Sequence, residues 1–557
     1  QRTCRRHDRM ELVDFLEAVE TRDANGACYT DHGSYQRDGS FNAVVHLPRT
    51  KLQKSALAPA IQEAHEVLKA PTVCDHEAMN KAIAKFSANL VQPPDVSEPL
   101  RYLKSRAPTG ELVPLRSIEE ALNGEQDGEP VVKPVNMKTS PGLPWVADPS
   151  TRTKAQLIAR ASGGRLKPTP RLSLACDAYE ARLLRGEVDS EVCMAQLKDE
   201  LRDHERVALK KTRVFIANGL HANAVFRKYL VPFIGLFKRR RPEWFHAVGI
   251  NPFSTSWSEI GEMGRGKLCL AADFSRYDTS HQRPLILAVF RFIAGYYRDD
   301  HARRAIERLG QALVNFRFYW DHRVWTAPAG QPSGSQVTTM LNSLINVVLW
   351  LRCWMDAGRG LREFTQHCSL VTFGDDCLFF ADAVGREALP PERVVALMAS
   401  YGYTLTGASK EEQVAYVPVS EVTFLGRHFA RDALGYWRPL RDMPLVWTSL
   451  AWEERGDRDA GYYKGRLWVV VSEIAVQDDP TEHLKELARV CATSPPWRAA
   501  LADLNVEAVI AGVRQQVCTA VGWKVRPLGV SKGDALGEIE RIFGSALPTL
   551  EDLSGGG

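Results

Sequence analysis

The sequence predicts an α+β fold in which helices pack on an antiparallel sheet. From residue 267 onward, short apolar runs typical of strands alternate with longer helical patterns. Two of these runs, 370–373 and 378–381, flank Gly374-Asp375-Asp376-Cys377, and a tight polar turn between apolar runs indicates a β-hairpin. After residue 430 the pattern is mainly helical. Strands joined by a hairpin are antiparallel, and helices then cover the sheet.

The other elements follow from local patterns. The run 268–272 predicts a strand that ends at Asp273, and Pro284 suits the first turn of a helix. The segment 330–334 contains two Gly and one Pro, which predicts a loop. Further helices are predicted at 59–70, 338–354, 484–492 and 506–517.

Length and composition limit the function only loosely. With 557 residues the chain can form roughly three to four domain-sized units or one multi-lobed enzyme. Contents of 45% hydrophobic and 25% charged residues are typical of globular proteins and exclude a mostly disordered chain. The net charge of +4 does not by itself indicate nucleic-acid binding, which would have to come from local clusters.

Cysteine usage and hydropathy predict free thiols and no transmembrane segment. The 11 Cys include no CxxC pair and no Cys/His metal spacing, so we expect neither disulfides nor a zinc site. The longest apolar stretch, 344–354, is interrupted by Asn346 and Arg352 and is too short to cross a bilayer. The chain begins with Gln1 and shows no signal peptide, so we expect that it was cut from a longer translation product.

Three aspartates are candidate metal ligands. Asp273 ends a predicted strand, whereas Asp375 and Asp376 occupy the tip of the predicted hairpin. By itself a Gly-Asp-Asp tripeptide is typical of a surface turn, but the apolar strands on both sides favour a site held by a sheet. Two-metal chemistry needs divalent ions about 3.5–4 Å apart, and Mg²⁺ prefers a few carboxylates completed by water and phosphate. We therefore assign Asp273 and Asp375 to two Mg²⁺ ions, for which Mn²⁺ can substitute, with Asp376 in a weaker or indirect contact.

Basic residues concentrate between 130 and 241. They include Lys198, Arg202, Arg206, Lys210, Lys211, Arg213 and the run 238–241. Such a cluster is by itself typical of a solvated protein face. It can equally bind phosphates, because Arg offers paired planar donors and Lys a compact charge. Charge alone leaves both interpretations open.

Seven short motifs occur in order between residues 139 and 430. The first two are Thr139-Ser140-Pro141-Gly142 and the pair Lys198-Asp199-Glu200-Leu201-Arg202 with Lys211-Thr212-Arg213. Next come Asp273-Phe274-Ser275-Arg276-Tyr277-Asp278, then Ser333-Gly334 with Thr338 and Asn342, then Phe373-Gly374-Asp375-Asp376. The last two are Ala408-Ser409-Lys410 and Val422-Thr423-Phe424-Leu425-Gly426-Arg427. This ordered set resembles the RNA-dependent RNA polymerases of positive-strand RNA viruses, most closely their picornavirus-like and calicivirus-like branch.

The resemblance implies a right-hand polymerase fold with fingers, palm and thumb, in which the antiparallel sheet of the palm packs on helices. The implied domains are 1–250 for an N-terminal extension and the fingers, 251–430 for the palm, and 431–557 for the thumb. An insertion that belongs to the fingers is expected near 284–322. The implied activity is RNA-directed RNA polymerase, which transfers nucleotides from NTPs to an RNA 3′ hydroxyl by a two-metal mechanism and replicates a viral RNA genome.

The resemblance also implies roles for individual residues. The catalytic residues would be Asp273, Asp375, Asp376 and Lys410, the last as the general acid that protonates pyrophosphate. The NTP-binding residues would be Lys198, Arg202, Arg206, Lys211, Arg213, Asp278, Ser333, Thr338 and Asn342. Four of these, Asp278, Asn342, Ser333 and Thr338, would recognise the ribose 2′ hydroxyl. The RNA-binding residues would be Thr139, Ser140, Gly334 and Arg427.

Some positions depart from the usual motifs or stay outside them. Phe373 stands where Tyr is commoner, Ser409 where Asp is frequent, and Gly426 where Lys is usual. These departures bear on the viral group and not on the reaction. His281 and His428 lack metal-ligand spacing and are interpreted as structural residues.

Two alternatives remain open from the sequence. A reverse transcriptase also pairs palm aspartates, but it would place a bulky aromatic side chain where this chain has Asp278. A catalytically inactive RNA-binding scaffold is the second alternative, although all three candidate metal ligands are present. The resemblance implies RNA template, nascent RNA and NTPs as ligands, and a genome-linked protein primer and other viral replication proteins as partners. It implies the host cytoplasm, in membrane-associated replication complexes, as the location.

Overall fold

Helices and short strands alternate along the chain in the computed structural model, which describes residues 20–22, 28–31, 50–86, 90–107, 111–125, 132–188, 192–320, 323–407, 413–432 and 435–518. The strands are Glu20–Arg22, Cys28–Asp31, Leu52–Lys54, Lys69–Pro71, Ile158–Arg160, Leu166–Pro168, Val192–Leu197, Leu201–Asp203, Val214–Ala217, Leu268–Ala271, Asp273–Ser275, Arg317–Trp320, Arg323–Thr326, Cys368–Phe373, Asp376–Ala381, Thr404–Thr406, Ala415–Val417, Thr423–Phe424, Arg427–Arg431, Trp437–Leu440 and Trp452–Glu454. The α-helices are Ala58–Ala64, His76–Ile83, Ser97–Arg106, Ile118–Asn123, Pro170–Arg185, His204–Ala208, Leu220–Arg239, Thr255–Glu262, Tyr277–Ser280, Arg283–Ala294, Asp300–Val314, Thr338–Asp356, Leu361–His367, Ala383–Ala388, Pro391–Ser400, Met443–Ala451, Ala460–Ala475, Pro480–Ala492, Pro495–Ala502 and Val506–Cys518. This mixture confirms the predicted α+β class.

A four-stranded antiparallel sheet carries the predicted hairpin. Its strand order is Cys368–Phe373, Asp376–Ala381, Leu268–Ala271 and Ala415–Val417. The hairpin register pairs Phe373 with Asp376, so only Gly374 and Asp375 form the turn. Gly374 has a φ of +68°, a left-handed backbone that Gly adopts without steric penalty. The predicted hairpin, with carboxylates at its tip, is therefore confirmed.

The helix Thr338–Asp356 holds the hairpin in place. Its side chains from 340 to 354 are almost all buried, because the sequence there is apolar around the whole helix and the helix lies inside the largest core of the chain. Trp350 of this helix stacks on Phe379 of the hairpin, with ring centroids 4.4 Å apart. The predicted helix at 338–354 is confirmed and continues for two further residues.

A six-stranded sheet joins three distant parts of the chain. Its strand order is Glu20–Arg22, Cys28–Asp31, Arg323–Thr326, Arg317–Trp320, Val192–Leu197 and Val214–Ala217. The chain leaves the four-stranded sheet after Ala271, adds Arg317–Trp320 and Arg323–Thr326 to this second sheet, and returns to the four-stranded sheet at Cys368. The predicted domain limits and the insertion near 284–322 remain predictions, because strand pairing alone does not define them.

The segment 52–71 contacts two distant parts of the chain. Leu52–Lys54 pairs with Trp452–Glu454, and the helix Ala58–Ala64 packs in the C-terminal helical core. A few residues later, Lys69–Pro71 pairs with Leu201–Asp203. The helix predicted at 59–70 therefore ends at Ala64, because the residues after it are used for this long-range pairing, which the local pattern does not indicate.

The cysteines of the described part are packing residues. Eight cysteines are free thiols, and all of them except Cys74 are buried, namely Cys176, Cys193, Cys269, Cys353, Cys368, Cys377 and Cys491. Burial raises the pKa of the Cys353 thiol to about 12, so it stays protonated and unreactive. Within the same ranges, no helix combines the length and the apolar character that crossing a bilayer demands.

Candidate active site

The three aspartates predicted as metal ligands meet beside the hairpin turn. Asp273 begins the strand Asp273–Ser275, directly after the sheet strand Leu268–Ala271. Asp375 lies in the turn, whereas Asp376 begins the next strand. All three line one cavity of about 340 Å³. The antiparallel sheet thus brings together carboxylates from two distant motifs.

Two polar residues that sequence reasoning missed hold this turn. The Ser343 hydroxyl accepts the Gly374 N–H at 2.8 Å, and the Asn346 amide donates to the Gly374 carbonyl at 3.0 Å and the Asp375 carbonyl at 3.3 Å. Both side chains come from the buried helix Thr338–Asp356. Polar residues inside an otherwise apolar helix were the signal that could have identified them.

The aspartates carry more negative charge than their surroundings compensate. Burial, followed by the charges of Asp375 and Asp273, raises the pKa of Asp376 to about 7, although its Oδ2 accepts the Leu425 N–H at 2.6 Å. Burial and the charge of Asp278 raise the pKa of Asp375, and the positive charge of Arg213 partly offsets this rise. A bound divalent cation would stabilise the ionised form of these adjacent carboxylates.

The donor set fits a hard divalent ion. Asp273, Asp375 and Asp376 offer only carboxylate oxygens, which are the ligands that Mg²⁺ prefers. Among the described residues, no three His, Cys, Asp or Glu side chains are arranged so that they could hold a metal ion by themselves, so a bound ion would need water or substrate oxygens as further ligands. An open platform suits Mg²⁺, because this ion usually keeps water and substrate phosphate among its ligands.

A second cavity, of about 480 Å³, adjoins the aspartates and shares Asp375 with the first. It contains seven of the nine residues predicted to bind NTP, namely Lys198, Arg202, Arg213, Asp278, Ser333, Thr338 and Asn342. Cationic residues and polar residues therefore line the same cavity. The arrangement provides binding groups for a triphosphate and a sugar within one cavity.

The structure does not bring the other two predicted NTP-binding residues, Arg206 and Lys211, to this cavity. Arg206 lies on the short helix His204–Ala208, where its Nε is 3.5 Å from Asp203. Lys211 is exposed in the loop that follows. The NTP-binding role of both residues remains a prediction.

Arg213 is held in place by a carboxylate. Its Nε donates to Glu200 Oε1 at 2.6 Å, and its Nη2 donates to Glu200 Oε2 in a paired geometry. Lys198 lies close by, and burial together with the charge of Arg213 lowers the pKa of its ammonium group. Five cationic residues line the cavity, Lys85, Lys198, Arg202, Arg213 and Arg276, against Asp278 and Asp375. With Glu200 beside Arg213 the charge remains net positive, which favours a phosphate ligand.

Hydrogen bonds connect the polar residues of the cavity to one another and to the neighbouring loop. Asn342 Nδ2 donates to Asp278 Oδ1 at 2.5 Å. Burial raises the pKa of Asp278, while Asn342, Lys198 and Arg213 favour its ionised form. The Thr338 hydroxyl donates to the Ser333 and Ser335 carbonyls, so it stabilises the loop at the start of its helix.

The loop 330–334 is fixed between two motifs. The Gly334 N–H donates to the Ile216 carbonyl at 2.9 Å, and a Cβ on Gly334 would lie 2.6 Å from that oxygen. The Ser333 hydroxyl accepts the Ile216 N–H at 3.4 Å. Only Gly permits this close approach. The structure therefore assigns Gly334 a packing role, and its predicted contact with RNA remains a prediction.

Thr139 and Ser140 are exposed at a loop that a buried lysine supports. Lys154 donates to the Asn136 carbonyl at 2.9 Å and to the Thr139 hydroxyl. The described residues offer no carboxylate within ion-pair distance of Lys154, and burial lowers its pKa to about 8. Lys154 lies outside the recognised motifs and sequence reasoning missed it. The RNA-binding role of the two exposed residues remains a prediction.

Arg427 is committed to an ion pair that sequence reasoning did not anticipate. Two of its nitrogens donate to Glu473 at 2.6 Å, and its guanidinium lies over the Phe253 ring at 4.8 Å. The Arg427 side chain is only 12% exposed, so it joins its strand to the helix Ala460–Ala475 instead of facing open solvent. Its proposed contact with RNA remains a prediction.

The unusual Gly426 has a local explanation. Leu425 and Gly426 both have positive φ values, +53° and +68°, and form the two-residue turn between Thr423–Phe424 and Arg427–Arg431. Two consecutive left-handed residues are typical of a type I′ turn, which favours Gly. The Leu425 N–H bonded to Asp376 therefore links this turn to the aspartates. Lys410, the predicted general acid, lies outside the described residues.

Comparison with known proteins identifies the family to which this fold and this site belong. A family model described as "Viral RNA-dependent RNA polymerase" matches residues 61–492. The chain therefore belongs to the viral RNA-dependent RNA polymerase family. A solved structure, "Sicinivirus 3Dpol RNA dependent RNA polymerase", is similar with a TM-score of 0.68 and 21% identity, over 85% of this chain and 98% of that one. This likeness confirms the predicted right-hand fold.

Curated relatives are viral polyproteins. The chain is 29% identical to the RNA1 polyprotein of tomato ringspot virus (isolate raspberry) over 60% of the chain and 16% of the polyprotein. It is 28% identical to the genome polyprotein of avian encephalomyelitis virus (strain L2Z) over 73% of the chain and 19% of the polyprotein. These picorna-like relatives confirm the predicted branch, and the chain spans less than a fifth of each polyprotein.

Proposed function

We propose that this chain copies RNA, adding nucleotides from NTPs to the 3′ hydroxyl of a nascent RNA as an RNA template directs, and so replicates a viral RNA genome. One observation carries the proposal: Asp375 lines both the 340 Å³ cavity of the three aspartates and the 480 Å³ cavity that contains Lys198, Arg202 and Arg213. A triphosphate bound by the basic residues would therefore reach the carboxylates. Membership of the viral RNA-dependent RNA polymerase family supports the same conclusion.

Divalent ions are implied by the family, and Mg²⁺ is the ion we propose here, with Mn²⁺ as a substitute. Asp273 and Asp375 would hold the two ions, and Asp376 would add charge and an indirect contact. When bound, the ions would activate the 3′ hydroxyl and neutralise the triphosphate and leaving oxygen.

The side chains of the second cavity would bind and orient the nucleotide. Lys198, Arg202 and Arg213 would hold the triphosphate, with Glu200 keeping the Arg213 guanidinium aligned. The 3′ oxygen then attacks the α-phosphorus, the bond from that phosphorus to the bridging oxygen breaks, and pyrophosphate leaves. We propose Lys410 as the residue that gives pyrophosphate a proton.

The polar network would select ribose. Asp278 and Asn342 would bond the 2′ hydroxyl, the group that distinguishes NTPs from dNTPs. This disfavours a reverse transcriptase, since a carboxylate stands where an aromatic side chain would exclude that hydroxyl. An inactive scaffold is disfavoured too, because the three aspartates come together in one cavity.

We further propose partners and a location. RNA template, nascent RNA and NTPs would be the ligands, and a genome-linked protein primer and other viral replication proteins would be partners. Release from a polyprotein is supported by the relatives, which are polyproteins. The proposed location is the host cytoplasm, in membrane-associated replication complexes.

Primer extension tests the proposal directly. The purified chain, an RNA primer–template and NTPs are incubated with Mg²⁺, with Mn²⁺ or with a chelator, using wild type and Asp375→Ala. Extension should need a divalent ion, and Asp375→Ala should abolish it while RNA still binds, because the carboxylate holds metal and not template. Asp300→Ala, at an exposed aspartate, is the matched control and should extend normally. Extension by Asp375→Ala at about a tenth of the wild-type rate or better would contradict the assignment.

A further inference from the structure

The side-chain amide of Asn342 lies at the centre of a buried hydrogen-bond network. This network continues away from the 480 Å³ cavity, which is called the nucleotide cavity below. Its nitrogen donates to Asp278 Oδ1. Its oxygen accepts hydrogen bonds from His281 Nε2, at 2.9 Å, and from Gln331 Nε2. His281 Nδ1 is in turn 2.8 Å from the Tyr403 hydroxyl. The Asn342 oxygen thus accepts two hydrogen bonds, and one of the two N–H groups on its nitrogen donates to Asp278.

His281 and Tyr403 have defined roles in this network. His281 is completely buried, and burial lowers its pKa to about 4, so the imidazole is neutral at physiological pH. A neutral imidazole has one donor and one acceptor. Burial raises the pKa of Tyr403, which keeps its hydroxyl protonated and able to donate to Nδ1. The imidazole proton is then on Nε2, which donates to Asn342.

This network fixes which way the Asn342 amide faces. If the amide turned over, its oxygen would face the Asp278 carboxylate and its NH₂ would face two N–H donors. Both contacts would be repulsive. His281 itself is held in position, because Tyr277 packs edge-on against its ring at 4.6 Å and the Gly330 N–H donates to its carbonyl at 2.7 Å.

We propose that His281, aided by Tyr403 and Gln331, is a positioning residue for ribose selection, since it orients Asn342 and thereby the Asp278 carboxylate that reads the 2′ hydroxyl. The inference rests on the proposed function of this site. It assigns a task to His281 and Tyr403, which do not line the 480 Å³ cavity, whereas Gln331 does. It would give His281 a role beyond the structural one interpreted from the sequence. The Gln331 donor comes from the 330–334 loop, so sugar reading would depend on both motifs that meet here.

The test compares two substitutions of His281 by the preference for an NTP over the dNTP with the same base. His281→Phe keeps an aromatic ring but removes the N–H donor, and His281→Gln keeps an N–H. The ratio of kcat/KM for NTP to kcat/KM for dNTP should fall about tenfold in H281F, which equals about 1.4 kcal/mol, and recover in part in H281Q. The fall in this ratio should come mainly from a lower kcat/KM for NTP.

A matched control is available in His246. This histidine is also buried and neutral, with a pKa lowered by burial to about 3, and it donates to the Phe237 carbonyl at 2.9 Å away from the nucleotide cavity. His246→Phe should therefore destabilise the chain to a similar degree without changing the NTP to dNTP ratio. An equal fall of the ratio in H246F and H281F would overturn the proposal, because it would reflect general destabilisation.

One further variant separates a failure of this inference from a failure of the proposed function on which it rests. Asn342→Ala should lose sugar preference. If it does while H281F keeps the wild-type ratio within about twofold, the inference is wrong and the sugar-reading role of Asn342 stands. If Asn342→Ala itself keeps the ratio, the proposed function of this network is wrong.

A second pair serves if H281F does not fold. Tyr403→Phe removes only the hydroxyl that donates to Nδ1, and Tyr401→Phe, whose hydroxyl donates to Asp356, is its control. The ratio should fall about threefold in Y403F and stay unchanged in Y401F. An unchanged ratio in Y403F would overturn the proposal.

Discussion

Replacing Asp376 by Asn should stabilise the metal-free chain at neutral and alkaline pH while it impairs catalysis. Burial and the charges of Asp375 and Asp273 raise the pKa of Asp376 to about 7, so an ionised Asp376 is unfavourable in the folded chain. Asn has the same shape, carries no charge, and its oxygen can still accept the Leu425 N–H. The substitution thus removes one repulsive charge with little change in packing.

The sign and size of the effect follow from the pKa. An acid with a higher pKa in the folded chain than in the unfolded chain loses stability as pH rises through the interval between the two values, here from about 4 to about 7. At about 1.4 kcal/mol per pH unit the full interval corresponds to at most about 4 kcal/mol. Solvent in the open cavity reduces this, so we expect about 1–3 kcal/mol, or roughly 1–3 °C in Tm for a chain of this length.

Thermal unfolding in a chelator at pH 4.5 and pH 8 measures this effect. Asp376→Asn and wild type should have the same Tm at pH 4.5, and the variant should be higher at pH 8. Added Mg²⁺ should narrow the gap by stabilising wild type more, since the ion offsets the same charge. Asp300→Asn, at an exposed position, should show no pH-dependent difference. A variant that is no more stable than wild type at pH 8, or equally stabilised at both pH values, would refute the reasoning.

Three other outcomes follow from the site. Asp278→Asn should reduce the use of NTP about tenfold more than that of dNTP in kcat/KM assays, and equal losses would remove Asp278 from sugar reading. Arg213→Ala should raise the KM for NTP and lower kcat together, whereas a change in template affinity alone would place Arg213 on the RNA path. Arg427→Met should lower the free energy of unfolding by about 3 kcal/mol in denaturant unfolding, because buried Glu473 then keeps only Arg441, at 3.9 Å, while Arg431→Met at an exposed pair should cost little. Weaker RNA binding at unchanged stability would instead assign Arg427 to RNA.

The elements that local patterns determine were predicted from the sequence. The hairpin around Asp375 and the helix beginning at Thr338 depend on apolar periodicity and on turn residues a few positions apart, and the structure contains both. The order of the motifs likewise identified the family and the fold. The seven residues that share the nucleotide cavity were predicted because each belongs to a motif.

The features that the sequence did not reveal depend on long-range contacts. No local pattern indicates that Lys69–Pro71 pairs with Leu201–Asp203, so a helix was extended wrongly through those residues. The pairing of Arg427 with Glu473 joins residues far apart in the chain, so the sequence did not reveal it, and the RNA contact that the motif implies for Arg427 stays a prediction. Arg206 was grouped with its basic neighbours, because charge in a sequence does not tell which way a short helix turns a side chain.

Incorporation of a single nucleotide tests the central claim most directly. Four RNA templates that differ only at the first templating base are primed with the same RNA, and each NTP is supplied alone with Mg²⁺ and the wild-type chain. The account predicts that only the complementary NTP is added on each template, that its dNTP is added poorly, and that Asp375→Ala adds none. Addition that ignores the template base, or that persists in Asp375→Ala, would contradict it.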